Sequence, residues 1–72
     1  MNKTQLVKEH LIKEGSITSW EAINLYGATR LASIIYVLRD RGYDIRTIMI
    51  DSVDRYGNEG QYAKYVYKGM LD

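Results

Sequence analysis

Residues 18–42 read TSWEAINLYGATRLASIIYVLRDRG, and the reading of that stretch decides the fold. Thr18 and Glu21 stand three apart ahead of an apolar run, the spacing of a capping box. In such a box the hydroxyl accepts from a backbone N–H near the glutamate while the carboxylate reaches back. The run Trp20, Ala22, Ile23, Leu25 and Tyr26 ends at Gly27, which predicts a helix of about two turns with Trp20 packing across it. So short a helix is not stable alone in water and must be held by its neighbours. From about Thr29 to Arg41 the pattern resumes, with Leu31, Ile34, Ile35 and Leu38 as one apolar stripe. Arg30, Ser33, Val37 and Asp40 fall roughly opposite, and Ala32, Tyr36 and Arg39 lie at the sides. Thr29 is the expected N-cap and Gly42 the expected stop.

Before this stretch, Leu6, Val7, His10 and Leu11 share one helical face over about Asn2 to Glu14. Asn2 or Thr4 can cap that helix, and Gly15 is placed to end it. Ser16-Ile17-Thr18 is a short extended link. After it the period changes: Asp44 to Val53 is rich in β-branched residues, and Gln61 to Lys68 alternates. Ala63, Tyr65 and Tyr67 fall on one side there, with Tyr62, Lys64, Val66 and Lys68 on the other. Asp54 to Gly60, with two glycines and an asparagine, reads as the long tip of an antiparallel hairpin. Two helices about a short glycine-bearing turn, the second longer and arginine-bearing, have the shape of a helix-turn-helix.

The 72 residues leave room for one domain, expected over 1–72. A hydrophobic fraction of 46% with 26% charged is that of a folded chain rather than a disordered tail. No run approaches the roughly 18 apolar residues of a membrane span, and Met1 to Lys13 is not patterned as a secretory signal, so the cytoplasm is the expected compartment. Without cysteine there is no disulfide framework, thiolate metal site or thiol nucleophile. His10 stands alone, so no metal and no cofactor are expected. No nucleophile–base or paired-carboxylate arrangement is supported, and so small a domain has little volume for a water-excluding cleft, so neither an enzyme nor a small-molecule substrate is expected. The net charge is only +1. Residues 28–46, however, hold Arg30, Arg39, Arg41 and Arg46 against Asp40 and Asp44.

Three helices and then a hairpin is the element order of the winged helix-turn-helix fold. Gly15 to Ala22, then Tyr26-Gly27-Ala28-Thr29-Arg30-Leu31-Ala32, then Leu38-Arg39-Asp40-Arg41-Gly42-Tyr43-Asp44-Ile45 resemble a family of small helix-turn-helix proteins common in bacteriophages and prophages. The shared features are glycine–x–isoleucine–threonine followed by glutamate–alanine, an arginine–leucine start to the third helix, and leucine–arginine–x–x–glycine–x–x–isoleucine after it. The resemblance covers about residues 11–67. It implies an α+β winged helix-turn-helix with a hairpin wing, and a short first strand at Ser16–Thr18 beside that hairpin. It also implies binding of double-stranded DNA, in a regulatory role, with the third helix in the major groove.

On that reading Arg30 leads the third helix and can bond guanine acceptors or a phosphate; otherwise it fixes the turn through Glu21. Thr29, Ser33 and Tyr36 follow as candidate contacts, or as simply solvated positions. Arg46 is a phosphate candidate by position, and Arg55 at the wing tip can reach phosphate or minor groove. Asp54 and Glu59 on the same tip oppose that use. Arg39 is expected to brace the corner between helix and strand. Tyr65 and Tyr67 are expected in the core, and the Tyr/Lys strand is read as an ordinary hairpin face. A homodimer or protein partner is expected, since so small a reader covers only about 3–6 base pairs; Val37, Trp20, Met70 and Leu71 are its candidate contacts. The alternative is a protein-interaction module on the same scaffold, binding or inhibiting a host or phage protein without DNA.

Overall fold

The computed structural model describes residues 2–70; Leu71, a candidate partner contact, lies outside them. Helix α1 spans Lys3–Glu14, strand β1 Ser16–Thr18, α2 Ser19–Tyr26, α3 Leu31–Asp40, β2 Tyr43–Val53 and β3 Glu59–Met70. The sheet order is β1-β3-β2 with both pairings antiparallel, and the molecule extends 43 × 25 × 20 Å. The three helices, the short Ser16–Thr18 strand and the hairpin stand in the expected order.

The boundaries of α1 and α2 have local causes. The Asn2 side chain accepts from Gln5 N at 2.8 Å, and Gly15 closes α1 at φ 88° with its N–H on Leu11 O. A positive φ of that kind is nearly free for glycine and strained for other residues. The Thr18–Glu21 capping box is complete: Glu21 N donates to Thr18 Oγ1 at 3.2 Å, and Thr18 N to Glu21 Oε1 at 3.0 Å. Gly27 at φ 65° ends α2, and Ala28 N reaches back to Ala22 O at 3.0 Å, which buries Ala28 beneath the turn.

Three expectations need correction. Thr29 is not the N-cap of α3. Arg30 takes that position, with φ −121° and no side-chain cap bond, because the turn after Gly27 carries the chain through the non-helical Ala28, Thr29 and Arg30 before Leu31. The helix is therefore Leu31–Asp40, two residues later at its start and one earlier at its end than the periodicity predicts. The hairpin tip is also shorter than the glycines suggest. β3 already begins at Glu59, since Asp54 N bonds Asn58 O at 3.0 Å and closes the turn there. Trp20 does not pack across α2: it is 73% exposed. Only Ala22 of that helix is buried, because an eight-residue helix lying on β1 and α1 presents one narrow side to them.

The core is Val7 and Leu11 of α1, Ile17 of β1, Ala22, Ala28, then Leu31, Ile35 and Leu38 of α3, and Ile45 of β2. Tyr26, Ile34, Tyr43, Tyr65 and Tyr67 pack around it half-buried, so both strand tyrosines lie against the core as expected. Each large aliphatic side chain withdrawn from water contributes about 1.5–3 kcal/mol. His10 is the one buried polar residue among those described. Its Nδ1 lies 2.8 Å from Tyr26 Oη, which ties α1 to α2, and its Nε2 lies 3.7 Å from Glu21 Oε2.

Candidate nucleic-acid interface

Burial of Leu31, Ile35 and Leu38 fixes which way α3 faces. Its other side turns Ala32, Ser33, Tyr36 and Val37 to solvent; Tyr36 is 74% exposed and Val37 37%. Thr29 and Arg30 are exposed at its leading end, and no carboxylate interrupts this side before Asp40. Ten residues at about 1.5 Å each give a rod of about 15 Å, a size the major groove admits. Thr29 and Arg30 at the leading end of α3 and Ser33 and Tyr36 on its outer side thus form one open surface.

Arg30 does not fix the turn through Glu21. That carboxylate is engaged by Thr18 N and Thr18 Oγ1 and faces His10, while Arg30 makes no side-chain hydrogen bond among the described residues. Arg39 does brace the corner: its Nε donates to Ile45 O at 2.9 Å and its Nη2 to Thr47 Oγ1 at 2.8 Å.

Arg46 is set apart from these residues. Strand alternation puts it on the sheet face opposite to Ile45. There it meets its own neighbour, Nε donating to Asp44 Oδ1 at 2.8 Å and Nη2 to Asp44 Oδ2 at 3.2 Å. This two-pronged bond holds the Asp44 carboxyl below its ordinary range, with Lys68 and Arg39 adding to the effect.

Arg55 sits at the wing tip beside Tyr56, its guanidinium carbon 6.0 Å from the ring centre, and Tyr56 is 80% exposed. Asp54 builds this tip. Its Oδ1 accepts from Tyr56 N at 2.8 Å and Asn58 N at 2.9 Å, and its Oδ2 from Asn58 Nδ2 at 3.1 Å. Of the two carboxylates that oppose a DNA-binding wing in the sequence, Asp54 is thus engaged by backbone amides, while Glu59 stays exposed. Those bonds, from Asn58 first, pull the Asp54 pKa below the ordinary 3.8. A depressed folded pKa means that the contribution is full above the unfolded value and is lost as pH falls through the folded one. The Tyr56 and Asn58 amide resonances are therefore expected to titrate together, with a midpoint below the ordinary 3.8. A midpoint above that value would contradict the turn, and the Asp54→Asn chain should show no such step.

Trp20 is a surface residue rather than a packed one. With Thr18, Ser19 and Tyr62 it lines an open cleft of about 360 Å³ beside the sheet. Its position was hidden by the composition of α2, where Trp20, Ile23 and Leu25 are all exposed and apolar residues fall on every side.

A helix pair about a tight glycine turn, an open second helix and a long hairpin beside it define a helix-turn-helix with a wing. The model of the winged helix-turn-helix domain family matches residues 3–68, and the chain belongs to that family. Comparison with curated proteins and with solved structures gave no match. Among the described residues no helix is long and apolar enough to cross a membrane.

Proposed function

We propose that the chain binds double-stranded DNA through α3 lying in the major groove, acting in the cytoplasm as a transcriptional regulator of the phage or prophage type its motifs resemble. The observation that carries this reading is the outer side of α3, exposed and free of carboxylates before Asp40, led by Arg30, which bonds no side chain among the described residues. Thr29, Ser33 and Tyr36 extend that surface, and the wing adds Arg55. Arg46 contributes less, since Asp44 already answers its charge. Such a surface reads only about 3–6 base pairs, so a second copy or partner completes the site.

Backbone charge supplies most of the affinity in this kind of complex, so salt is the direct test. Titration of a labelled duplex from the chain's own upstream region should show binding weakened about a hundredfold between about 50 and 200 mM salt, for about four phosphate contacts. Undetectable or salt-independent binding overturns the proposal. The second reading, a protein-interaction module without DNA, is favoured by the exposure of Trp20 beside Tyr62 and by the net charge of +1. It predicts loss of partner capture in Trp20→Ala with no effect of Arg30→Ala.

A further inference from the structure

With β1 and β2 flanking β3, β2 is an edge strand, and the register shows which of its main-chain groups are free. Tyr67 N bonds Gly15 O at 2.8 Å, so Tyr67 turns its backbone groups away from Ile45, the residue opposite it on β2. Ile45 therefore points its own N–H and C=O to the outer edge, where Arg39 takes the carbonyl. From Ile45 to Val53 the register runs without a shift. Alternation then aims the backbone groups of Thr47, Met49, Asp51 and Val53 outward as well, and no group of the described residues bonds them.

Proteins blunt such edges with short strands, bulges, prolines or charges. Here the irregularity lies at Tyr43/Ile45, the sequence has no proline, and Thr47–Val53 carries one charge. That charge, Asp51, accepts from Gln61 Nε2 at 2.9 Å. Apolar side chains flank the bare edge: Ile48 is 44%, Met49 54% and Val53 66% exposed.

We infer that this edge pairs antiparallel with the same edge of a second copy of the chain, about a two-fold axis at Met49. The pairing joins two three-stranded sheets into one. The side chains select that axis. Ile48 stands opposite the partner's Ile50 on one face, in the closely spaced pairs of the ladder, twice over by symmetry. On the other face Met49 meets the partner's Met49, and Asp51 meets the partner's Thr47. Thr47 Oγ1 accepts from Arg39 Nη2, so its hydroxyl proton is left for a carboxylate, and the Arg39 guanidinium stands behind it. An axis at Ile50 would instead set Asp51 against methionine twice. Three hydrogen-bonded residue pairs over Thr47–Asp51 give about six main-chain bonds. Beyond them the Arg39 bond to Ile45 O ends the ladder. The inference is independent of DNA binding.

Light scattering on the full chain from about 10 to 500 µM should show the mass rise from 8.3 kDa towards twice that value. Met49→Lys places two ammonium groups opposite each other at an exposed position outside the core. It should weaken association by at least about tenfold, with an unchanged circular dichroism spectrum. Because the chain has no cysteine, Met49→Cys gives a single reporter. Directly paired residues stand about 5.5 Å apart at Cα, within disulfide reach, so mild oxidation should link the dimer, while Tyr56→Cys at the tip should not link. A chain monomeric throughout, a dimer indifferent to Met49→Lys, or equal cross-linking at both positions would overturn the inference.

Discussion

Leu38→Ala is expected to melt about 12–24 °C below the parent chain. Leu38 is fully buried at the C-terminal end of the α3 stripe, one and two turns from Ile35 and Leu31. Truncating a buried leucine costs about 2–5 kcal/mol, the lost transfer energy plus the cavity left behind. At about 3 kcal/mol, and about 4–8 °C per kcal/mol in a domain of this size, the shift follows. Stability at this length is about 4–11 kcal/mol, so one such change removes a large share of it. Val37→Ala, one residue along and half-exposed, should shift the transition by only a few degrees. Thermal circular dichroism of both variants decides the point: similar melting would mean that the stripe is not the core.

Arg30→Ala is expected to leave the melting temperature unchanged and to weaken duplex binding by about 1–3 kcal/mol, about 5- to 150-fold. The separation arises because Arg30 makes no side-chain bond among the described residues. The salt dependence identifies its partner. A phosphate contact lowers the slope of log affinity against log salt by about one, whereas a base contact leaves it nearly unaltered and relaxes sequence preference. Arg46→Ala is the comparison, with a smaller loss expected because its guanidinium is already bonded by Asp44. Parent-like affinity in Arg30→Ala would remove α3 from the groove.

Much of this was legible in the chain itself because short-range chemistry fixes it. Thr18 and Glu21 announce a helix start by spacing, and Gly15 and Gly27 announce ends by permitting positive φ. Leu31, Ile34, Ile35 and Leu38 show which face of α3 is buried, and hence which is open. What was hidden depends on the folded geometry, near or far, that spacing alone does not set. Trp20 sits in a helix apolar on all sides, so periodicity cannot choose its face. The Asp54 carboxylate reads as a surface charge until the turn bonds to it, and the Asp44–Arg46 pair is invisible until β2 extends and sets both side chains on one face. His10 meets Tyr26 across 16 positions, a contact no local rule supplies.

The pairing of Ile17 with Tyr65 has a kinetic consequence. β2 and β3 zip from their own turn, but β1 must wait for a strand nearly fifty residues downstream, and closing so long a loop is slow relative to local steps. On the ribosome the first three helices can therefore emerge with the side of Ile17 that Tyr65 later covers still bare. Completion belongs to β3. A nascent chain stalled before Tyr65 clears the exit tunnel should remain protease-sensitive, and one released beyond Tyr67 should not.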